Sequence, residues 1–158
     1  MQNQLLLLEK VQEIEIQIGQ INNEVMQYNV DMERLSAEIK ECETKLAALK
    51  SELDELEDMR LVLEDERTGC IEKMKKNEDR LKNIKNEKEF NAVTKEMNAA
   101  KKEKQAKENE IGKSNEKIDE KSRLVKEQED KLQNKNAELE EKNSAIIANS
   151  GQWEKRLE

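Results

Sequence analysis

Residues 32–56 read MERLSAEIKECETKLAALKSELDEL, and the spacing of the apolar residues in this stretch determines the architecture. These residues recur at alternating intervals of three and four, at Met32, Leu35, Ile39, Cys42, Leu46, Leu49, Leu53 and Leu56. A mean apolar interval of 3.5 residues is the seam of a left-handed coiled coil, because it keeps one stripe of the helix facing a partner helix. The stretch therefore predicts an α-helix that packs lengthwise against another helix.

The same seam extends toward the N-terminus and weakens toward residue 83. It begins with Leu7, Val11, Ile14, Ile18, Ile21, Val25 and Tyr28, so fifteen successive seam positions up to Leu56 are apolar. Polar residues such as Arg60 and Asn77 then enter the seam. Gly69 lies in the same region and costs roughly 1 kcal/mol of helix propensity. We expect a first helix over about residues 3–83, with a looser or bent stretch near residues 60–77.

A turn is predicted at about residues 83–87. Asn86-Glu87-Lys88-Glu89 is a capping-box pattern, with Asn86 at the N-cap and Glu89 at N3, where the two side chains satisfy free backbone amides. Phe90 then begins a new apolar stripe. Two alternatives are a reversal at Thr68-Gly69 and a continuous helix through residues 83–90.

The second helix, predicted over about residues 87–157, has a thinner apolar stripe. Apolar residues recur every seven positions, with Lys104 as the single exception, at Met97, Ile111, Ile118, Val125, Leu132, Leu139, Ile146 and Trp153. Reversing the chain between residues 85 and 86 pairs positions whose numbers sum to 171, which sets Ile118 opposite Leu53. The predicted fold is all-α: a long antiparallel coiled-coil helical hairpin that forms a single domain over residues 1–158.

Composition excludes several function classes. Of 158 residues, 42% are charged, three are aromatic, and none is proline or histidine. Such a chain cannot fill an ordinary globular core, and the lack of histidine excludes histidine-based acid–base chemistry and metal ligation. No glycine-rich phosphate loop is present either, so the prediction is a protein that is not an enzyme.

Targeting and membrane signals are also missing. No apolar run approaches the ~18 residues that cross a membrane, which predicts no membrane insertion. The run Leu5–Leu8 is short, and the first basic residue, Lys10, follows it, whereas a secretory signal has a basic segment first. These features predict a cytoplasmic protein.

The two cysteines, Cys42 and Cys70, both fall on the seam. A redox or metal pair is one interpretation, but 28 residues of helix separate the thiols by ~42 Å. We interpret both as small buried hydrophobic residues. No cofactor is therefore expected in this chain.

Two surfaces are candidates for partner binding. The first is the apolar N-terminal run with one aromatic residue of the second helix: Leu5, Leu6, Leu7, Leu8 and Trp153. The second is a basic tip at the turn, composed of Lys73, Lys75, Lys76, Arg80, Lys82, Lys85 and Lys88. Residues 73–104 carry 11 basic and 6 acidic side chains, whereas the whole chain has a net charge of −8. The tip could bind nucleic-acid phosphates, although a solvated, ion-paired helix surface is the favoured interpretation.

The segment around the turn, KNEKEFNAVTKE at residues 85–96, resembles the turn of a bacterial family with a long helical hairpin followed by a C4-type zinc ribbon. The family pattern is a polar turn, then Lys-Glu-aromatic-or-Leu, an Ala-apolar pair and a Glu. The family includes a flagellar sigma-54 chaperone from Helicobacter and a chlamydial protein associated with type III secretion. The resemblance implies a role near such machinery. The family's ribbon carries two Cys-x-x-Cys pairs, which this chain lacks up to Glu158, so zinc is expected only if a C-terminal ribbon is missing.

Three function hypotheses follow. The leading one is a non-enzymatic adaptor or chaperone that binds protein partners by helix-in-groove contacts, for which the resemblance implies a link to flagellar or type III secretion machinery. The second is nucleic-acid binding through the basic tip. The third is a structural spacer, in which first helices of two copies form a parallel homodimeric coiled coil.

Overall fold

The computed structural model describes residues 2–157, and side chains for residues 2–155. Helix α1 spans Gln2–Asn83 and helix α2 spans Glu87–Leu157, with residues 84–86 between them. The two helices pack against each other, and the described residues contain no strand. The predicted all-α helical hairpin is thus confirmed. Helix α1 also continues without interruption through residues 60–77, where we expected a looser stretch.

The turn places the start of α2 at an asparagine cap. The Asn86 Oδ1 accepts a hydrogen bond of 2.9 Å from the backbone N–H of Lys88, and the Phe90 N–H donates to the Asn86 carbonyl oxygen at 3.0 Å. Glu87 and Glu89 lie in the first turn of α2, where negative charge interacts favourably with the helix dipole. Phe90 itself is 48% exposed. Val93, one step further along the same stripe, is fully buried, so the buried part of the stripe begins there.

The chain divides into two compact units, each of which contains part of both helices. The first unit comprises Met1–Leu46 and Gln128–Glu158, and the second comprises Ala47–Glu127. In the first unit, Leu35 and Cys42 are buried, and the Tyr28 hydroxyl donates a hydrogen bond to the Asn143 side chain. Tyr28 and Asn143 are among the pairs whose numbers sum to 171, which is the register that the sequence predicted.

The second unit has its own buried seam. Its apolar members are Cys70, Val93, Ala100, Ile111 and Ile118. Asn77 is a buried polar residue on the same seam.

Within residues 2–157, no helix contains a segment that is both long and apolar enough to cross a membrane.

Candidate functional site

The N-terminal leucines form an exposed apolar surface on α1. Leu5, Leu6, Leu7 and Leu8 are 54–62% exposed, and Val11 and Ile14 follow with about half of their surface open to solvent. Leu7, Val11 and Ile14 occupy seam positions, so the seam of α1 continues into this segment without being covered as it is at Leu35. Exposed apolar side chains clustered in this way are typical of interaction sites on soluble proteins.

Trp153 lies away from the four leucines of this patch. It lies on α2 and is partly buried. Tyr28–Asn143 and Lys142–Asp31 contacts fix the register of this unit, and that register puts Trp153 level with residues 18–20. The nearest leucine of the run is then about ten residues further along α1, which is ~15 Å of helix. The two parts of the predicted docking surface are therefore separate in the structure.

The basic tip lies in the second unit, and all seven of its residues are exposed. Lys73, Lys76 and Arg80 line an open groove of about 450 Å³ beside Asn77, Ala99 and Ala100. Two carboxylates, Glu96 and Glu103, line the same groove. Arg80 Nη1 contacts Glu96 Oε2 at 3.2 Å. The groove is thus of mixed charge, since part of its positive charge is neutralised by α2.

The most regular polar feature of both units is a row of four lysines on the seam of α2. None of these lysines is among the candidate residues predicted from the sequence. Each lysine contacts an acidic residue of α1: Lys107 with Glu66 at 2.5 Å, Lys121 with Glu52 at 2.7 Å, Lys135 with Glu38 at 2.5 Å and Lys142 with Asp31 at 3.5 Å. In every pair the residue numbers sum to 173, so a single register satisfies all four.

The positions in this row that lack a lysine follow the complementary rule. Two facing positions of α1 carry a basic residue, Lys45 and Lys73. The α2 residues whose numbers complete the sum of 173 are neutral: Gln128 opposite Lys45, and Ala100 opposite Lys73. No lysine of this seam row therefore faces a basic residue of α1 in this register. The acidic residue immediately before a seam position of α1 was the signal that could have revealed these pairs from sequence.

Electrostatics at the Glu38–Lys135 pair show the strongest mutual effect in the first unit. The hydrogen bond from the Lys135 ammonium holds the pKa of Glu38 below its ordinary value of 4.5, against the opposing effect of desolvation. The same hydrogen bond raises the pKa of Lys135 above 10.5. In the second unit, the hydrogen bond with Glu66 likewise raises the pKa of Lys107.

These shifts predict how Lys135→Gln changes stability with pH. The lowered pKa of Glu38 stabilises the fold above pH 4.5, and this contribution is lost as pH falls through the folded-state pKa. The raised pKa of Lys135 stabilises it below pH 10.5, and this contribution is lost as pH rises through the folded-state pKa. The variant should therefore have a lower Tm than the wild type between these limits, and the difference should shrink outside them. Circular dichroism melts across pH measure it.

Lys126→Gln provides the matched control, since Lys126 is exposed and makes no ion pair among the described residues. Its Tm should follow that of the wild type at every pH. If the difference in Tm between Lys135→Gln and the wild type stayed constant from acid to alkaline pH, the Glu38–Lys135 pair would not be the source of the stability.

The two cysteines are free and buried, one in each unit. Their burial agrees with the interpretation of both as small hydrophobic residues. Across the described part of the chain, no three His, Cys, Asp and Glu side chains are grouped to hold a metal ion.

Comparison with known proteins gives no relative from which a function could be transferred. No family model matches the chain, and neither the curated proteins nor the solved structures include a match to it.

Proposed function

We propose that this chain is a non-enzymatic helical hairpin that binds protein partners as an adaptor or chaperone. The single observation that carries the proposal is the leucine patch, Leu5–Leu8 with Val11 and Ile14, because six apolar side chains within ten residues are each about half exposed. Exposed apolar surface of this extent is unfavourable in water unless a partner covers it. A helix that presents such a patch binds in an apolar groove of a partner, or to exposed apolar segments of an unfolded protein.

The surfaces of the second unit support this choice over nucleic-acid binding. The groove at the basic tip contains Glu96 and Glu103 beside its lysines, and carboxylates repel phosphates. The basic tip also offers Phe90 as its one aromatic residue for base stacking. We extend the proposal in two ways. The resemblance of residues 85–96 supports a role near flagellar or type III secretion machinery, and the sequence features supporting a cytoplasmic location are those given above.

The leucine patch can be tested with a variant in which Leu5, Leu6, Leu7 and Leu8 are all replaced by glutamine. The probe is a chemically denatured model protein that aggregates on dilution, with light scattering as the readout. We expect the wild-type chain to suppress aggregation at near-stoichiometric amounts, and the quadruple variant to lose most of this effect because the apolar contact area is gone. Circular dichroism should show that the variant keeps its helical content, since these residues are exposed.

The matched control is Leu61→Gln with Val62→Gln, which removes exposed apolar residues from the second unit. This control should suppress aggregation as the wild type does. Equal activity of the quadruple variant and the wild type would refute the role of the leucine patch. A wild-type chain without any effect on aggregation would contradict the chaperone form of the proposal.

A further inference from the structure

Helix α1 has a second apolar stripe that the hairpin does not use. Its apolar members are Leu5, Leu8, Ile16, Met26 and Val30, which are 59–66% exposed. Its remaining members, Gln12, Gly19 and Asn23, are exposed and uncharged. The eight positions follow one another at steps of three or four residues, so they share one helix face. At about 100° per residue, this outer stripe lies roughly 140° around the helix from the seam.

The outer stripe is confined to the first thirty residues or so of α1. Beyond Val30 the same face continues with Glu33 and Lys40, which are typical of a solvated surface. Between Leu5 and Val30 no stripe position is charged. The stripe therefore has the length of about seven helical turns, enough for one helix to pack along it.

We propose that a second copy of this chain packs antiparallel on the outer stripe and forms a homodimer. The order of residues along the stripe is nearly palindromic. With a two-fold axis between residues 17 and 18, positions whose numbers sum to 35 lie level in the two copies. Leu5 then meets Val30, Gln12 meets Asn23, and Ile16 meets Gly19; Leu8 and Met26 lie within one residue of level. Because the contact is isologous, each pair occurs twice.

The central pair gives this arrangement its shape complementarity. Gly19 has no side chain, and apart from the adjacent backbone of α1 no atom lies within 4 Å of the position that a Cβ would occupy there. The exposed Ile16 of the second copy fills this depression, while Gly19 of the second copy receives Ile16 of the first. Gln12 and Asn23 place two amides level with each other, and amides can donate and accept hydrogen bonds in both directions.

Charge also permits self-association. Residues 2–30 contain five charged side chains, Glu9, Lys10, Glu13, Glu15 and Glu24. In the antiparallel register these five lie level with Met26, Val25, Asn22, Gln20 and Val11 of the second copy, so no two like charges face each other. A different partner would need its own charge-free stripe of the same length, whereas a second copy supplies one by symmetry.

The dimer and the proposed function share Leu5 and Leu8, but they can be tested separately. Leu6 and Leu7 lie outside the outer stripe, so a dimer leaves part of the leucine patch open to a partner. The chain can bind a partner and fail to dimerise, or dimerise and fail to bind. The experiment below therefore alters Gln12, Ile16, Gly19 and Asn23 and leaves residues 5–8 unchanged.

The first test is sedimentation equilibrium of the full chain across the micromolar range. The wild type should show a concentration-dependent mass between monomer and dimer. Ile16→Glu should move the midpoint of dimerisation to roughly tenfold higher concentration or more, because it places a charge in the apolar centre. Val62→Glu, at an exposed valine of the second unit, should leave the midpoint unchanged. A strictly monomeric wild type, or an equal effect of the two variants, would overturn the proposal.

Gly19→Leu distinguishes the packed glycine from a merely flexible one. Leucine has a far better helix propensity than glycine, and Gly19 has open space around it, so the monomer should become more thermally stable at low concentration. The same change fills the depression that receives Ile16, so dimerisation should weaken by roughly tenfold or more. A variant that gained helix stability and kept the wild-type midpoint would overturn the packing of Ile16 on Gly19.

A pair of double variants tests the antiparallel register. In Gln12→Lys with Asn23→Glu, the antiparallel dimer brings a lysine level with a glutamate twice, whereas a parallel dimer would bring like charges together. In Gln12→Lys with Asn23→Lys, like charges meet in both arrangements. We expect the first variant to dimerise at least as tightly as the wild type and the second to be monomeric, with circular dichroism confirming that both remain helical. Equal masses for the two variants, or a monomeric first variant, would overturn the antiparallel dimer.

Discussion

Replacement of Leu35 by alanine should lower the free energy of unfolding by about 3 kcal/mol. Leu35 is fully buried at the centre of the seam in the first unit. The substitution removes three carbon atoms from water-excluded packing and leaves a cavity, which two rigid helices fill only in part. Among the residues of this unit whose side chains are described, Cys42 is the other buried apolar one, so little remains to compensate.

Urea unfolding followed by circular dichroism measures this effect, and Leu61→Ala is the matched control. Leu61 is exposed, so the same chemical change should alter the free energy of unfolding by less than about 0.5 kcal/mol. Similar losses in the two variants would show that helix propensity, and not burial in the seam, determines the cost.

Replacement of Val93 by alanine should cost more than replacement of Phe90, although phenylalanine is the larger residue. Val93 is fully buried at the first seam position of α2, whereas Phe90 is about half exposed. The valine change removes two buried carbon atoms and leaves a cavity, for a loss of about 2 kcal/mol. The phenylalanine change removes surface that is largely in contact with water, and alanine is the better helix former, so the loss should be below about 1 kcal/mol.

Thermal unfolding of Val93→Ala and Phe90→Ala decides between the two rankings. The sequence alone ranks Phe90 first, because it is the aromatic residue next to the cap. The structure ranks Val93 first, because the seam of α2 passes through it. A larger loss for Phe90→Ala would mean that the turn is organised around the aromatic ring, and the assignment of Val93 to the seam would then be wrong.

The seam of α1 could be predicted because its apolar spacing is repeated many times. Fifteen successive seam positions are apolar, so a single exception at any of them would not hide the period. The register of the α2 seam was predicted, but the contacts of its four lysines with α1 were not. A lysine on a helix usually indicates a solvated face, and only the pairing with Glu38, Glu52 and Glu66 shows that these lysines lie against α1.

The candidate surfaces were predicted less completely than the fold. The four leucines were recognised because they are consecutive, whereas a coiled-coil seam uses only two of every seven residues. The outer stripe was not found, because its apolar members are spread over 26 residues and are interrupted by Gln12, Gly19 and Asn23. Trp153 was predicted as part of the same docking surface as the leucines, although the predicted register already sets it opposite Ile18, about ten residues from Leu8.

The two buried cysteines can report local opening of the helix pair, because a buried thiol reacts only when it becomes exposed. Cys42 lies in the first unit and Cys70 in the second, and both thiols are free and buried. A thiol reagent can reach each sulfur only when the surrounding seam opens, so the rate of labelling at each site reports the free energy of that local opening. The unmodified wild-type chain thus carries two native probes, with which the opening of each half can be followed separately as partners or second copies bind.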